Sequence, residues 1–199
     1  MPDNTTITPD PAPDPAPAPA PAPAHEHGMA PGGFNAGFDW TSWQPRVRAT
    51  LLFVIDQHHG PGGEVLLIEK KRGFGAGKVN GPGGKVAPGE SAIAAAVRET
   101  IEETGIEPLD PVAAGHLAFS FRDGLTIAVD VFISGRWRGA LAACEEADPF
   151  WCPLDQVPYD RMWQDDRHWL PSVLAGGRVR GRFGFDGERM IECHMVLES

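Results

Sequence analysis

An α/β domain, with helices packed on a mixed β-sheet, is predicted by three features of the chain. Residues 48–56 (RATLLFVID) and 64–69 (EVLLIE) are apolar, β-branched-rich runs separated by the turn-forming HHGPGG. Two later pairs of extended runs are joined by the dipeptides Asp123-Gly124 and Asp186-Gly187, which tolerate the positive φ of a tight hairpin. Between these signals, GGKVAPGESAIAAAVRETIEETGI at residues 83–106 opens with glycine and then carries helical periodicity.

The first 42 residues read as a different kind of polymer. PDPAPDPAPAPAPAPA lacks the branched and aromatic side chains that a core needs, and its prolines favour an extended conformation, so a disordered tail is expected over 1–42. Residues 43–199 form the folded domain, a length suited to one core.

After the strands at 48–56 and 64–69 comes the irregular loop KKRGFGAGKVNGPGGK, residues 70–85, and then the helix. Residues 115–122 and 125–134 form one hairpin, and 179–198 form another. Between them lie a turn around Trp163 and a second helix from Asp166 to Ala175, stopped by Gly176-Gly177 and kinked or shortened by Pro171. Six or seven strands and two helices result.

A net charge of -10 argues against a general nucleic-acid surface, because phosphate backbones are held by basic patches. A small phosphorylated ligand fits that charge if a metal ion mediates between acidic protein and acidic substrate. Lys70-Lys71-Arg72 and Arg178, Arg180 and Arg182 supply local positive charge or are solvated strand ends. Cys144, Cys152 and Cys193 are odd in number, lack metal-finger spacing and are read as reduced thiols. With neither a signal peptide nor a membrane-spanning run, a soluble, cytoplasmic protein without membrane contact is expected, acting as a monomer.

On a helical wheel Ile93, Ala94, Val97 and Ile101 fall in one quadrant, whereas Glu99, Glu102 and Glu103 gather opposite. The aliphatic face is expected on the sheet, and Gly105 suits the left-handed stop. Three carboxylates at i, i+3 and i+4 repel one another, and the helix holds no lysine to relieve them. Oxygen clusters of this kind suit hard divalent ions, which share their remaining positions with substrate phosphates.

Gly84, Glu90, Arg98, Glu99, Glu102, Glu103, Gly105 and Ile106 satisfy G-x5-E-x7-R-E-U-x-E-E-x-G-U, where U is bulky and aliphatic. This spacing resembles the Nudix box, the signature of hydrolases that cleave a nucleoside diphosphate linked to another group. Thr100 departs from it, standing where an aliphatic residue is usual. The resemblance implies the Nudix fold, a mixed sheet sandwiched between helices. It also implies Glu99, Glu102 and Glu103 as ligands of Mg²⁺ or Mn²⁺, one of them available as general base. Glu90 and Arg98 are read as a bidentate pair that positions loop and helix.

Residues 70–85 and 151–175 are further similar to the oxidised-purine nucleoside triphosphatases of that family, which act on 8-oxo-dGTP and 2-oxo-dATP; with the final hairpin the similarity spans about 47–198. The resemblance implies that Asn80 hydrogen-bonds the purine, Trp163 stacks on it, Asp165 and Asp166 read its edge, and Phe74 and Phe119 line the walls. It places Lys70 near base or ribose, Thr50 and Leu51 at the pocket border, and Gly84 and Lys85 against the substrate. Glu146 of CEEADPFW, or its neighbour Glu145, would approach the metal from a loop, with Gly83 as a further ligand.

Physical chemistry supports the set: an amide both donates and accepts, an indole face stacks on a base, and adjacent carboxyls in a dry pocket do not both ionise. Taken singly, each residue also has an ordinary reading. Trp163 would be a rim aromatic, Asp165 a helix cap, Asn80 a turn residue, and one of Phe119 and Phe121 a core residue. Val79 and Pro82 replace aromatic residues that flank this asparagine in the family, which bears on substrate preference.

The expected reaction is Mg²⁺-dependent hydrolysis of oxidised purine nucleoside triphosphates to monophosphate and pyrophosphate. Backbone N–H groups at Gly83 and Gly84 are expected close to the substrate. Two alternatives remain: another nucleoside-diphosphate-linked substrate, such as ADP-ribose or a dinucleotide, or a non-catalytic nucleotide sensor.

Overall fold

The computed structural model describes residues 38–58 and 62–198, so the Pro/Ala-rich stretch and part of HHGPGG lie outside the described residues. Strand β1 (Val47–Asp56) alternates into a run of buried residues toward its end. It meets β2 (Glu64–Lys70) only at Ile55↔Val65 and Asp56↔Glu64 before the two diverge. β3 (Val79–Asn80) pairs with β2 at Ile68↔Asn80 and Glu69↔Val79.

In the gap left by β2, the glycine-rich loop takes over the free edge of β1. Thr50 N–H donates to the Gly84 carbonyl at 2.8 Å, Leu52 N–H to that of Pro82 at 2.9 Å, and Val86 N–H to that of Arg48 at 3.0 Å. Gly83 packs so tightly on the Thr50 carbonyl that a side chain there would collide with it.

Helix α1 (Ala92–Thr104) starts at Ser91, whose hydroxyl accepts from Ala94 N–H, and stops at Gly105 with φ of 74°. Its buried face differs from the expected one. Ala95, Ala96, Thr100, Glu103 and Thr104 are buried, whereas Ile93 and Ile101 are 42% and 41% exposed. Small residues let the helix backbone approach the sheet, and the polar ones are satisfied: Thr100 Oγ1 donates to the Ala96 carbonyl at 2.7 Å and Thr104 Oγ1 to that of Thr100 at 2.6 Å. The aliphatic stripe instead borders a shallow groove with Pro111.

β4 (Ile106–Leu109) pairs later with β7 (Arg136–Gly139) in a two-stranded sheet. β5 (Val112–Phe121) and β6 (Thr126–Ser134) form the first predicted hairpin. β8 (Ala147–Pro153) pairs antiparallel along all of β2. Helix α2 (Asp166–Leu174) runs through Pro171 as one element, and Asp165 precedes it without a side-chain cap. β9 (Arg178–Asp186) and β10 (Arg189–Glu198) form the last hairpin. The structure thus holds ten strands among the described residues, β3, β4, β7 and β8 being the ones not expected.

The large sheet runs β10-β9-β5-β6-β1-β2-β3, with β8 beside β2. It is mixed: β1 with β6 and β5 with β9 are parallel, the other neighbours antiparallel. One face packs a core of Phe53, Leu117, Val131, Trp169, Leu170 and Phe183 with α2. The other packs Leu52, Val54, Leu66, Ile106 and Phe132 with Ala96 of α1. Residues 38–42, expected in the tail, also join the domain. Trp40 Nε1 donates to the buried carboxylate of Glu192, and its ring meets Phe38, Trp43 and Arg182.

Candidate active site

The divergence of β1 from β2 opens a cavity of about 610 Å³. At one end lie the acids of α1. Glu103, 3% exposed, accepts from Gly83 N–H at 2.8 Å and from Lys70 Nζ at 3.1 Å. Burial pushes the Glu103 carboxyl above its usual range, opposed by the Gly83 N–H and the Lys70 ammonium. Gly83 therefore commits its N–H to Glu103 rather than leaving it open toward a substrate.

Arg98 answers the repulsion expected along α1. Its guanidinium holds Glu90 through two bonds of 3.0 Å, as the bidentate pair requires, and also reaches Glu99 at 2.9 Å and Glu102 at 3.2 Å. Glu90 is held low by Arg98 and by the Ala87 N–H. Glu99 and Glu103 line the cavity, but Glu102 turns toward the outer groove with Ile93 and Ile101. Glu146 reaches the cavity from the loop before β8, paired with Arg72 at 2.6 Å, whereas Glu145 sits outside it on the same arginine.

Hard oxygen donors are the right chemistry for a divalent cation. Among the described residues, no three acidic, histidine or cysteine side chains already converge as a cation cage. Arg98 and Lys70 hold the acids instead. Glu99, Glu103 and Glu146 bring oxygen donors of the right kind to the cavity, with Glu102 beside them on Arg98.

At the other end lies an aromatic chamber. Phe74, half-exposed on its glycine loop, stacks on Trp163 at 5.1 Å and 14°, while Phe121 and Phe185 meet that ring nearly edge-on. Phe119 and Phe121 both line the cavity, since residues two apart on a strand share a face, and Phe121 is also a buried member of the core, as expected for at least one of them. Asn80, on β3, accepts from Gly81 N–H through its Oδ1 at 2.8 Å.

Asp165 and Asp166 are both buried. Asp165 Oδ2 accepts from Trp169 Nε1 at 2.9 Å, and Asp166 Oδ2 from Trp163 N–H at 3.0 Å. Burial pushes the Asp165 carboxyl up to about 6 and that of Asp166 well above its usual range. Two cavity-lining residues carry a buried polar atom without a hydrogen-bond partner, Asp165 Oδ1 and Thr50 Oγ1.

The cavity thus gathers Thr50, Leu51, Lys70, Phe74, Asn80, Gly83, Gly84, Lys85, Glu99, Glu103, Phe119, Glu146, Trp163 and Asp165 from the expected set. It leaves Glu102 outside and Asp166 just behind the wall. Phe121, Leu125, Ile127 and Phe185 were not anticipated; period-two alternation from Phe119 would have found Phe121, and alternation from Phe183 would have found Phe185.

A family model described as the NUDIX domain matches residues 45–173. The oxidized purine nucleoside triphosphate hydrolase of Danio rerio is 42% identical over 151 residues, 75% of this chain and 93% of that protein. The protein of the same name from Mus musculus is 38% identical over 150 residues, with the same coverage. The crystal structure of a MutT mutator protein from Bacillus halodurans superposes with a TM-score of 0.66 and 26% identity, covering 75% of this chain and 97% of that one. The chain belongs to the Nudix family. No helix among the described residues is long and apolar enough to cross a membrane.

Proposed function

We propose that the chain hydrolyses oxidised purine nucleoside triphosphates, such as 8-oxo-dGTP and 2-oxo-dATP, to monophosphate and pyrophosphate. It would act on the cytoplasmic nucleotide pool as a monomer. The observation that carries this reading is the pairing, in one cavity, of an acid cluster with an aromatic chamber that holds an unsatisfied buried carboxylate oxygen, Asp165 Oδ1. The names of the vertebrate relatives point the same way.

The residues divide the work. A purine plane stacks on Trp163 in the position Phe74 now takes, Phe74 then moving to the chamber wall, and Asn80 presents an amide to its edge. Burial of two adjacent carboxyls favours one proton between them, so Asp165 and Asp166 offer a donor and an acceptor together. Glu99, Glu102, Glu103 and Glu146 would hold Mg²⁺, or Mn²⁺ in its place, with Gly83 near it. The bound ion supplies charge neutralisation at the phosphate oxygens and acidification of water. Glu103, already raised by burial, is suited to accept a proton from the attacking water.

The test is a panel of 8-oxo-dGTP, 2-oxo-dATP, dGTP and ADP-ribose with Mg²⁺. Faster turnover of the oxidised triphosphates is expected, and clear preference for ADP-ribose overturns the assignment.

A further inference from the structure

We infer that Lys78 is a positioning residue of the purine pocket: its ammonium, tethered by Glu188 of the β9–β10 turn, seats the Trp163 ring for stacking. This inference rests on the function proposed above and adds to it a residue from the glycine-rich loop and a partner from the last hairpin.

Lys78 Nζ lies 5.0 Å from the centroid of the Trp163 ring. It also donates to Glu188 Oε2 at 3.0 Å. The lysine side chain is only 18% exposed, whereas Glu188 is 73% exposed. An ammonium is strongly hydrated and its stem mobile, so it withdraws from water only where its contacts replace that hydration. Here the indole face and one carboxylate do so.

The hairpin makes a second contact with the same segment. Met190 N–H donates to Gln164 Oε1 at 2.7 Å, one residue after Trp163. The β9–β10 hairpin is therefore fastened to the Trp163 segment at two points, through Gln164 in the chain and through Lys78 over the ring.

The other contacts of the ring differ in kind. Phe121 and Phe185 stand on β5 and β9 and meet it edge-on at 74° and 87°. Phe74 stacks on it in parallel, but from a half-exposed position between two left-handed glycines, Gly73 and Gly75. A purine that takes the parallel position displaces Phe74, whereas Lys78 is held by Glu188. Lys78 thus completes, with Phe121 and Phe185 at the ring's edges, the seat that holds the ring as the arriving base meets it. Its charge also faces Asp166, where it works against the proton that burial favours.

An ordinary surface ion pair would predict otherwise. Exposed pairs contribute little, and the loss of one leaves a distant pocket unchanged. The full chain and its Lys78→Met, Lys78→Arg and Glu188→Gln variants separate the two by steady-state kinetics on 8-oxo-dGTP and dGTP, with thermal melting alongside. Lys78→Met should raise KM for 8-oxo-dGTP about tenfold while kcat stays within about twofold, the size expected for a partly desolvated cation–π contact. Lys78→Arg, which keeps a cation over the ring, should restore KM to within about twofold. Glu188→Gln should fall between them, and melting should be unchanged throughout.

Wild-type KM in Lys78→Met, or failure of Lys78→Arg to restore it, overturns the inference. If the wild type itself turns over no oxidised purine triphosphate, the proposed function falls and takes this inference with it. Wild-type turnover with an unaffected Lys78→Met variant removes this inference alone.

Discussion

Lys70 Nζ stands 3.1 Å from Glu103 Oε1, joining the end of β2 to the last turn of α1 with side chains 19% and 4% exposed. The contact makes the acid end of the cavity part of the fold. Removing one member of so buried a pair leaves the other charge stranded. Lys70→Met should therefore lower unfolding free energy by about 3 kcal/mol. Denaturant melts would register this, and an unchanged midpoint would show that the pair contributes nothing net.

Glu103→Gln replaces the charge but keeps an oxygen for Gly83 N–H and an amide of the same shape. The fold should survive, and turnover should fall by two orders of magnitude or more, roughly what a lost general base costs. Undiminished pyrophosphate release by this variant would remove Glu103 from the mechanism.

Chelation offers an independent check on the acids. With excess EDTA the enzyme should stay folded, because Arg98 and Lys70 already hold Glu99, Glu102 and Glu103 without a metal. Activity should vanish and return on adding Mg²⁺. Turnover that persists in chelator would refute a role for divalent ions.

The buried aspartates give stability a pH dependence of definite sign. Burial raises the Asp165 carboxyl from its usual 3.8 to about 6, and Asp166 moves the same way. The folded state thus holds protons that the unfolded chain releases. The stability this adds is complete below about pH 3.8 and is lost as pH rises through about 6. Asp165→Asn removes the Asp165 share of that dependence, Asp166 keeping its own, while the amide oxygen still accepts from Trp169. Urea titrations across this window should show the wild type losing stability relative to the variant; parallel curves would contradict the assignment.

Gly105 provides a purely structural prediction. Its φ of 74° is left-handed, and an added Cβ would meet the Ala140 carbonyl oxygen. Gly105→Ala should cost about 2 kcal/mol through backbone strain and this collision. A thermal melt equal to wild type would mean that the loop at Ala140 yields freely.

Much of this architecture was legible from residue order, for reasons that are local. The Asp-Gly turns announced both hairpins, Gly105 marked the end of α1, and the box spacing placed Glu99 and Glu103 at the cavity. The orientation of α1 was not legible. A wheel ranks faces by hydrophobicity, but Ala95, Ala96 and Thr100 are chosen for how closely they let the helix sit, and the burial of Glu103 depends on Lys70 and Gly83 from elsewhere in the chain. β8 escaped notice because Pro149 and Pro153 speak against a strand; they are tolerated because β8 lies at an edge, bonded only to β2. Lys78 had no local mark at all, since its partners Trp163 and Glu188 lie far along the chain.

Trp40 reaches across 152 positions of sequence to Glu192. The family match begins at residue 45, so a chain trimmed to the recognisable hydrolase would lose the indole and the Phe38 ring that covers Gly184. What remained would be the Glu192 carboxylate on the outer side of the last hairpin, deprived of its indole donor, on strands that also line the cavity through Phe185. Phe38 and Trp40, which family boundaries would discard, therefore act as a rear brace of the strands behind the cavity.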